Sequence, residues 1–125
     1  MIINHVSVGV SELSSAIEYY DKVLATLNIT RSAYVEGIAA SYGSDFEFWI
    51  GLPHEGEFST GNGVHIAFNA SSIEAVGRFY QAAISSGGVC KGKPGYRPEY
   101  GEGYYAAFVT DLDGNKLEAV IIKDD

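Results

Sequence analysis

Shifted by 60 residues, this chain falls on itself. His5 lands on His65, Val6 on Ile66, Ser11 on Ser71, Leu13 on Ile73, Ala16 on Val76, Tyr19 on Phe79, Tyr20 on Tyr80 and Leu24 on Ile84, without a gap. Further on the shift grows to 71, so that Gly43 meets Gly114, Phe46 meets Leu117, Glu47 meets Glu118 and Ile50 meets Ile121. Units this short cannot each bury a sheet face alone, so the two halves are expected to share one core.

Periodicity says what each half contains. Ile2 to Val10 alternates as a strand does. Ser11 is a helix cap, followed by Leu13, Ile17, Tyr20, Leu24 and Leu27 at helical spacing. Residues 29–36 and 38–42 read as a hairpin turning at Gly37, and 45–51 as a third strand. The second half repeats the order: a strand at 64–70, a cap at Ser71, a helical stripe through Phe79 and Ile84 stopped by Gly87-Gly88, then strands at 89–93, 104–110 and 115–122. The expected fold class is therefore α+β. Two βαβββ modules, about 1–52 and about 63–125, are joined by a Gly/Pro-rich linker at about 53–62 within one domain.

Charge and cysteine content narrow the function. Sixteen acids against eight bases give a net charge of −8, with no Lys/Arg run, so nucleic acid and anionic membrane are not expected partners. No apolar run approaches the ~20 residues of a membrane span, and MIINHVSV has no basic leader region. The single Cys90 has no disulfide partner and reads as a small strand residue, which makes a cytoplasmic location the expectation.

Strand parity separates candidate site residues from core. If Val6, Val8 and Val10 face the first helix, His5 faces away. If Ile66 and Phe68 face the second helix, His65 likewise faces away from it. Phe46, Phe48 and Ile50 leave Glu47 and Trp49 on the open face, and Leu117, Ala119 and Ile121 leave Glu118 there. Two enclosed carboxylates cost several kcal/mol each unless paired, protonated or bound to a cation. His5, Glu47, His65 and Glu118 form an N/O donor set suited to one divalent ion, Ni²⁺, Fe²⁺, Mn²⁺, Co²⁺ or Zn²⁺. Arg97 in the 92–103 loop is a candidate clamp for a substrate anion. Trp49, Tyr100 and Tyr104 are candidate pocket walls.

These segments resemble a known family. The His5 strand, the helix IEYYDKVLATLNI, the strand VHIAF and above all DLDGNKLEAV resemble the vicinal oxygen chelate superfamily, which includes glyoxalase I, extradiol dioxygenases, methylmalonyl-CoA epimerase and the fosfomycin and bleomycin resistance proteins. DFEFWIG and GYRPEYGEGYYAAF are similar to a small bacterial glyoxalase-like subgroup, in which an aromatic residue stands near the second ligand position. The resemblance implies curved half-barrel sheets around a metal, with His5, Glu47, His65 and Glu118 as ligands by position. It also implies a homodimer, with modules paired within one chain or exchanged between two.

Three functions follow as expectations. The first is a metal-dependent lyase or isomerase binding a small substrate through two adjacent oxygens, with Glu47 or Glu118 moving the proton. The second is a ring-cleaving dioxygenase in which His5, His65 and Glu118 hold iron and Trp49 stands in for Glu47. The third is a non-catalytic protein that sequesters a cationic aromatic ligand, as bleomycin resistance proteins do. It predicts metal-free protein whose ligand binding survives His5→Ala.

Overall fold

The computed structural model describes residues 2–123. Among them the order is β1 (Val6–Gly9), α1 (Leu13–Ala25), β2 (Arg31–Val35), β3 (Ala39–Tyr42), β4 (Phe48–Gly51), β5 (His65–Asn69), α2 (Ile73–Ser85), β6 (Cys90–Tyr96), β7 (Tyr104–Thr110) and β8 (Lys116–Ile122). The strands form two four-stranded mixed sheets of identical topology, β1-β4-β3-β2 and β5-β8-β7-β6. In each the first strand runs parallel to the last and the other neighbours are antiparallel. The fold is thus α+β, two curved sheets not closed into a barrel.

Both helices turn one apolar face inward, and the halves share a core. Leu13, Ala16, Tyr20, Val23 and Leu24 of α1 join Val76, Phe79 and Ala83 of α2, Phe48 and Ile50 of β4, and Leu117 and Ala119 of β8 in a single buried cluster. Phe48 meets Phe68 edge-on at 5.0 Å across the two sheets. Polar bonds cross between the halves as well. The Tyr19 hydroxyl donates to the Thr110 carbonyl at 2.8 Å, and that of Tyr20 to Asp111 Oδ2 at 2.6 Å.

Both helices begin one residue later than their serines suggested. Ser72, not Ser71, accepts the Ala75 amide at 3.0 Å as the cap of α2. Glu12 occupies the matching position of α1, while Ser11 gives its amide and hydroxyl to Asp113. A partner from the other half outcompetes a local cap. β1 is also shorter than the alternation implied, because its one partner among the described residues, β4, begins opposite Val6; Ile2 and Ile3 are exposed. Cys90 is a strand residue, the first of β6, and is exposed. Its thiol is held below the usual range by the Tyr80 hydroxyl first, then by the Gly92 amide and Lys93.

The buried tyrosines give this core an alkaline limit. Burial, then the Asp111 carboxylate, holds the Tyr19 and Tyr20 hydroxyls well above their ordinary pKa of 10.0; burial, then Asp21, does the same for Tyr42. The folded chain keeps protons that the unfolded chain loses above pH 10. The stability they contribute is therefore complete below about pH 10 and lost as pH climbs beyond it. A pH titration should show tyrosinate absorbance rising in two stages. The last stage belongs to Tyr19, Tyr20 and Tyr42, which should ionise only as the circular dichroism collapses. Full ionisation with the dichroism intact would contradict this account.

Candidate functional site

The helices cover one face of each sheet and leave the other open. On the second sheet, strand alternation puts Leu117 and Ala119 in the core and turns Glu118 to the open face. Glu118 is nonetheless only 1% exposed. His65, on the neighbouring strand, places Nε2 3.0 Å from Glu118 Oε1, and the Tyr104 hydroxyl donates to Oε2 at 2.5 Å. Both oxygens of a buried carboxylate are thereby engaged and oriented. Desolvation first, then Glu118, pushes the Tyr104 hydroxyl up to about 12, so it remains a donor across the physiological range.

These three residues line a cavity of about 520 Å³ with Phe108, Lys116, Tyr100 and Glu99. Tyr100 is exposed and meets Tyr104 at 5.4 Å. Phe108 is the floor: His65 approaches its ring at 6.1 Å, Lys116 Nζ lies over it at 5.1 Å and the Arg97 guanidinium at 5.5 Å. Sequence reasoning named Arg97, Tyr100 and Tyr104 but missed Phe108 and Lys116. The available signal was parity, since both alternate with Glu118 or Tyr104 on the same face.

The first half is arranged differently. His5 precedes β1, is exposed, and its Nδ1 meets the Asn4 side chain at 2.8 Å. Glu47 precedes β4 and is exposed; its carboxylate accepts the Asp45 amide at 2.7 Å and covers Gly43. Phe46, expected in the core beside Phe48, is 47% exposed with φ +57°. Regular strand geometry, and with it the parity rule, begins only after that residue.

The pairing registers also correct the repeat alignment at this point. Val6 stands opposite Phe48 and Ser7 opposite Trp49, while Ile66 stands opposite Leu117 and Ala67 opposite Glu118. Trp49, not Glu47, is therefore the register counterpart of Glu118, two residues from the match read off the sequence. Trp49 is half-buried and lines a separate cavity of about 650 Å³ with Ser7, Gly9, Ala39, Pro53 and His54.

The donor chemistry of His65 and Glu118 suits a divalent ion: one imidazole nitrogen and one buried carboxylate, adjacent and oriented by Tyr104. Among the described residues no third His, Cys, Asp or Glu joins them. A single chain brings together half of the expected ligand set, and His5 and Glu47 stand on the other sheet.

A family model described as Glyoxalase/Bleomycin resistance protein/Dioxygenase superfamily matches residues 2–119. A glyoxalase/bleomycin resistance protein from Albidiferax ferrireducens T118 is 32% identical, with a TM-score of 0.85 over 96% of this chain and 98% of that one. A glyoxalase/bleomycin resistance protein/dioxygenase family enzyme from Burkholderia phytofirmans PsJN, 17% identical, has a TM-score of 0.75 over 96% and 98%. A glyoxalase-related enzyme from Fulvimarina pelagi, 15% identical, has a TM-score of 0.74 over 94% and 86%. The last two show likeness of fold alone. No protein with a curated description matches the chain. No described helix is long and apolar enough to cross a membrane.

Proposed function

The chain belongs to the glyoxalase/bleomycin resistance protein/dioxygenase superfamily, and from that premise we propose a metal-dependent enzyme of lyase or isomerase type, acting on a small substrate through two adjacent oxygens. The observation that carries the reading is Glu118: a carboxylate 1% exposed, fixed by His65 on one oxygen and Tyr104 on the other. A buried acid so arranged has little reason to exist in a structural sheet, where an apolar residue would serve at lower desolvation cost.

His65 and Glu118 would hold the ion from one half, His5 and Glu47 from the other. A divalent ion supplies Lewis-acid stabilisation of an oxygen that gains negative charge. The chain supplies the remainder. Tyr104 orients Glu118, Phe108 and Tyr100 wall the substrate, and the carboxylate of Glu118 or Glu47 takes up and returns the proton. Because the open faces lie away from a common core, we propose that the site is completed between two chains of a cytoplasmic homodimer. The open face of one chain's first sheet would cover the other chain's second sheet.

The register of Trp49 favours a second reading. If an aromatic residue fills the place opposite Glu118, the set reduces to His5, His65 and Glu118, the ligands of a ring-cleaving dioxygenase.

Elemental analysis of protein purified without a metal-affinity tag tests both. About one divalent transition metal per chain is expected, falling below about a tenth in His65→Ala and in Glu118→Ala. Glu47→Ala should lower the content under the first reading and leave it unchanged under the second. Metal-free wild-type protein that stays metal-free after reconstitution would leave only the sequestering function.

A further inference from the structure

Strand β6 is built around one side chain. Its sequence, CKGKPGY, carries two glycines in a strand interior, where each costs roughly 0.5–1 kcal/mol against alanine. Neither is required by its backbone angle, since neither has a positive φ. Space is what they provide. A Cβ on Gly95 would meet Arg97 Nη1 at 3.1 Å, and a Cβ on Gly92 would meet Arg97 Nη2 and Phe108 at the same distance. The pairing of β6 with β7 shifts register on both sides of Gly92, which opens the recess further.

Arg97 fills that recess. Nη2 donates to the Lys93 carbonyl at 2.6 Å, and the guanidinium lies over Phe108. Lys93 is the one acceptor that its side chain meets among the described residues, so most of its five donors are uncommitted. Lys116 reaches the same ring from β8, on the other side of β7. Among the described residues neither cation has a carboxylate within ion-pair distance. In a chain of net charge −8, two unpaired cations thus meet the Phe108 ring that floors the cavity holding Glu118, Lys116 from its lining and Arg97 from beside it. Glu99 lines the same cavity and is exposed.

We infer that Arg97 and Lys116 bind an anionic substituent of the substrate, a carboxylate or a phosphoryl group, and so restrict this site to negatively charged small molecules. The inference takes the Glu118 cavity as the substrate site and in that respect rests on the function proposed above. The planar guanidinium, fixed by Lys93 and Phe108, offers a fork at low conformational cost; Lys116 adds an adjustable charge.

Benzoate, phenyl phosphate, neutral benzamide and cationic benzylamine, titrated into the full-length chain and followed by the amide resonances of Gly92, Gly95 and Lys116, test this. The two anions should shift these resonances saturably and the other two should not; whichever anion binds more tightly identifies the group. Arg97→Gln should weaken the better anion at least about tenfold, with Arg97→Lys between it and wild type. Gly95→Ala should weaken it with every charge retained, because the new methyl displaces the guanidinium. Should Arg97→Gln fail to fold, Lys116→Gln gives a second measure. Benzamide binding as well as benzoate, or anion affinity within about twofold of wild type in both Arg97→Gln and Gly95→Ala, would overturn the inference. Metal content measured on the same samples keeps the two proposals apart. Arg97-dependent anion binding by metal-free protein would sustain this one while the metal-dependent reading falls.

Discussion

Asp111→Ala should unfold at a temperature roughly 10–20 °C below wild type, corresponding to a loss of about 3–5 kcal/mol. Asp111 is 3% exposed, and its side chain accepts four hydrogen bonds. Oδ1 takes the Asp113 and Asn115 amides, both at 2.9 Å. Oδ2 takes the Tyr20 hydroxyl at 2.6 Å and Asn115 Nδ2 at 2.8 Å. Asn115 Nδ2 also donates to the Gly9 carbonyl at 2.9 Å, so the turn before β8 is tied to the end of β1. Alanine would leave the fully buried Tyr20 hydroxyl without its acceptor and the half-buried Asn115 short of two of its own. Asp113→Ala is the control: it removes only the bonds to Ser11 and should cost about 1 kcal/mol. Denaturant unfolding measures both, and an Asp111→Ala loss near that of Asp113→Ala would refute the account. The network also bears on the site. It joins the strand next to His5 to the strand that carries Glu118, so Asp111→Asn, which keeps the shape but weakens the acceptor, should lower metal content less than it lowers stability.

The DLDGNKLEAV segment was the most legible part of the sequence for this reason. A turn in which the Asp111, Asp113 and Asn115 side chains all have fixed partners permits few substitutions of type, and the strand that follows pairs with β7 over seven residues without a shift of register. Glu118 could be placed on the open face by parity alone. Glu47 could not. The left-handed backbone at Phe46 breaks the alternation one residue before it, and nothing in the residue types around Asp45 announces that break. The alignment of the repeats failed beside it for a related reason. A slip of two residues returns every side chain to the same face, so period-two patterning cannot distinguish Glu47 from Trp49 as the partner of Glu118. Only the inter-strand register does. Arg97 was visible as a charge in a loop, but its seat was not. Gly95 fell in the expected 92–103 loop and Gly92 where that loop overlapped the expected strand, whereas both lie in β6 and make room for a guanidinium.

Whether one chain or two complete the metal site has a large and discrete consequence. His65, Glu118 and Tyr104 are assembled on one sheet, with His5 on the other and no third ligand joined to them among the described residues. If the second sheet of one chain is completed by the first sheet of another, each site in a homodimer takes His5 from one chain and Glu118 from its partner. Chains carrying His5→Ala alone, or Glu118→Gln alone, then bind almost no metal. Unfolded together and refolded as a mixture, they form heterodimers in half of the population. In each heterodimer one site has lost both ligands and the other has kept both, so metal returns to roughly a quarter of the wild-type content. If the site closes within one chain, every site in the mixture remains defective and no metal returns. Wild-type chains refolded in parallel, with their full metal content, exclude loss through the refolding itself. Recovery near a quarter also requires that Gln at position 118 and Ala at position 5 leave both sheets folded. That is expected, since His5 is exposed and Gln preserves the Glu118 volume and its bond from Tyr104.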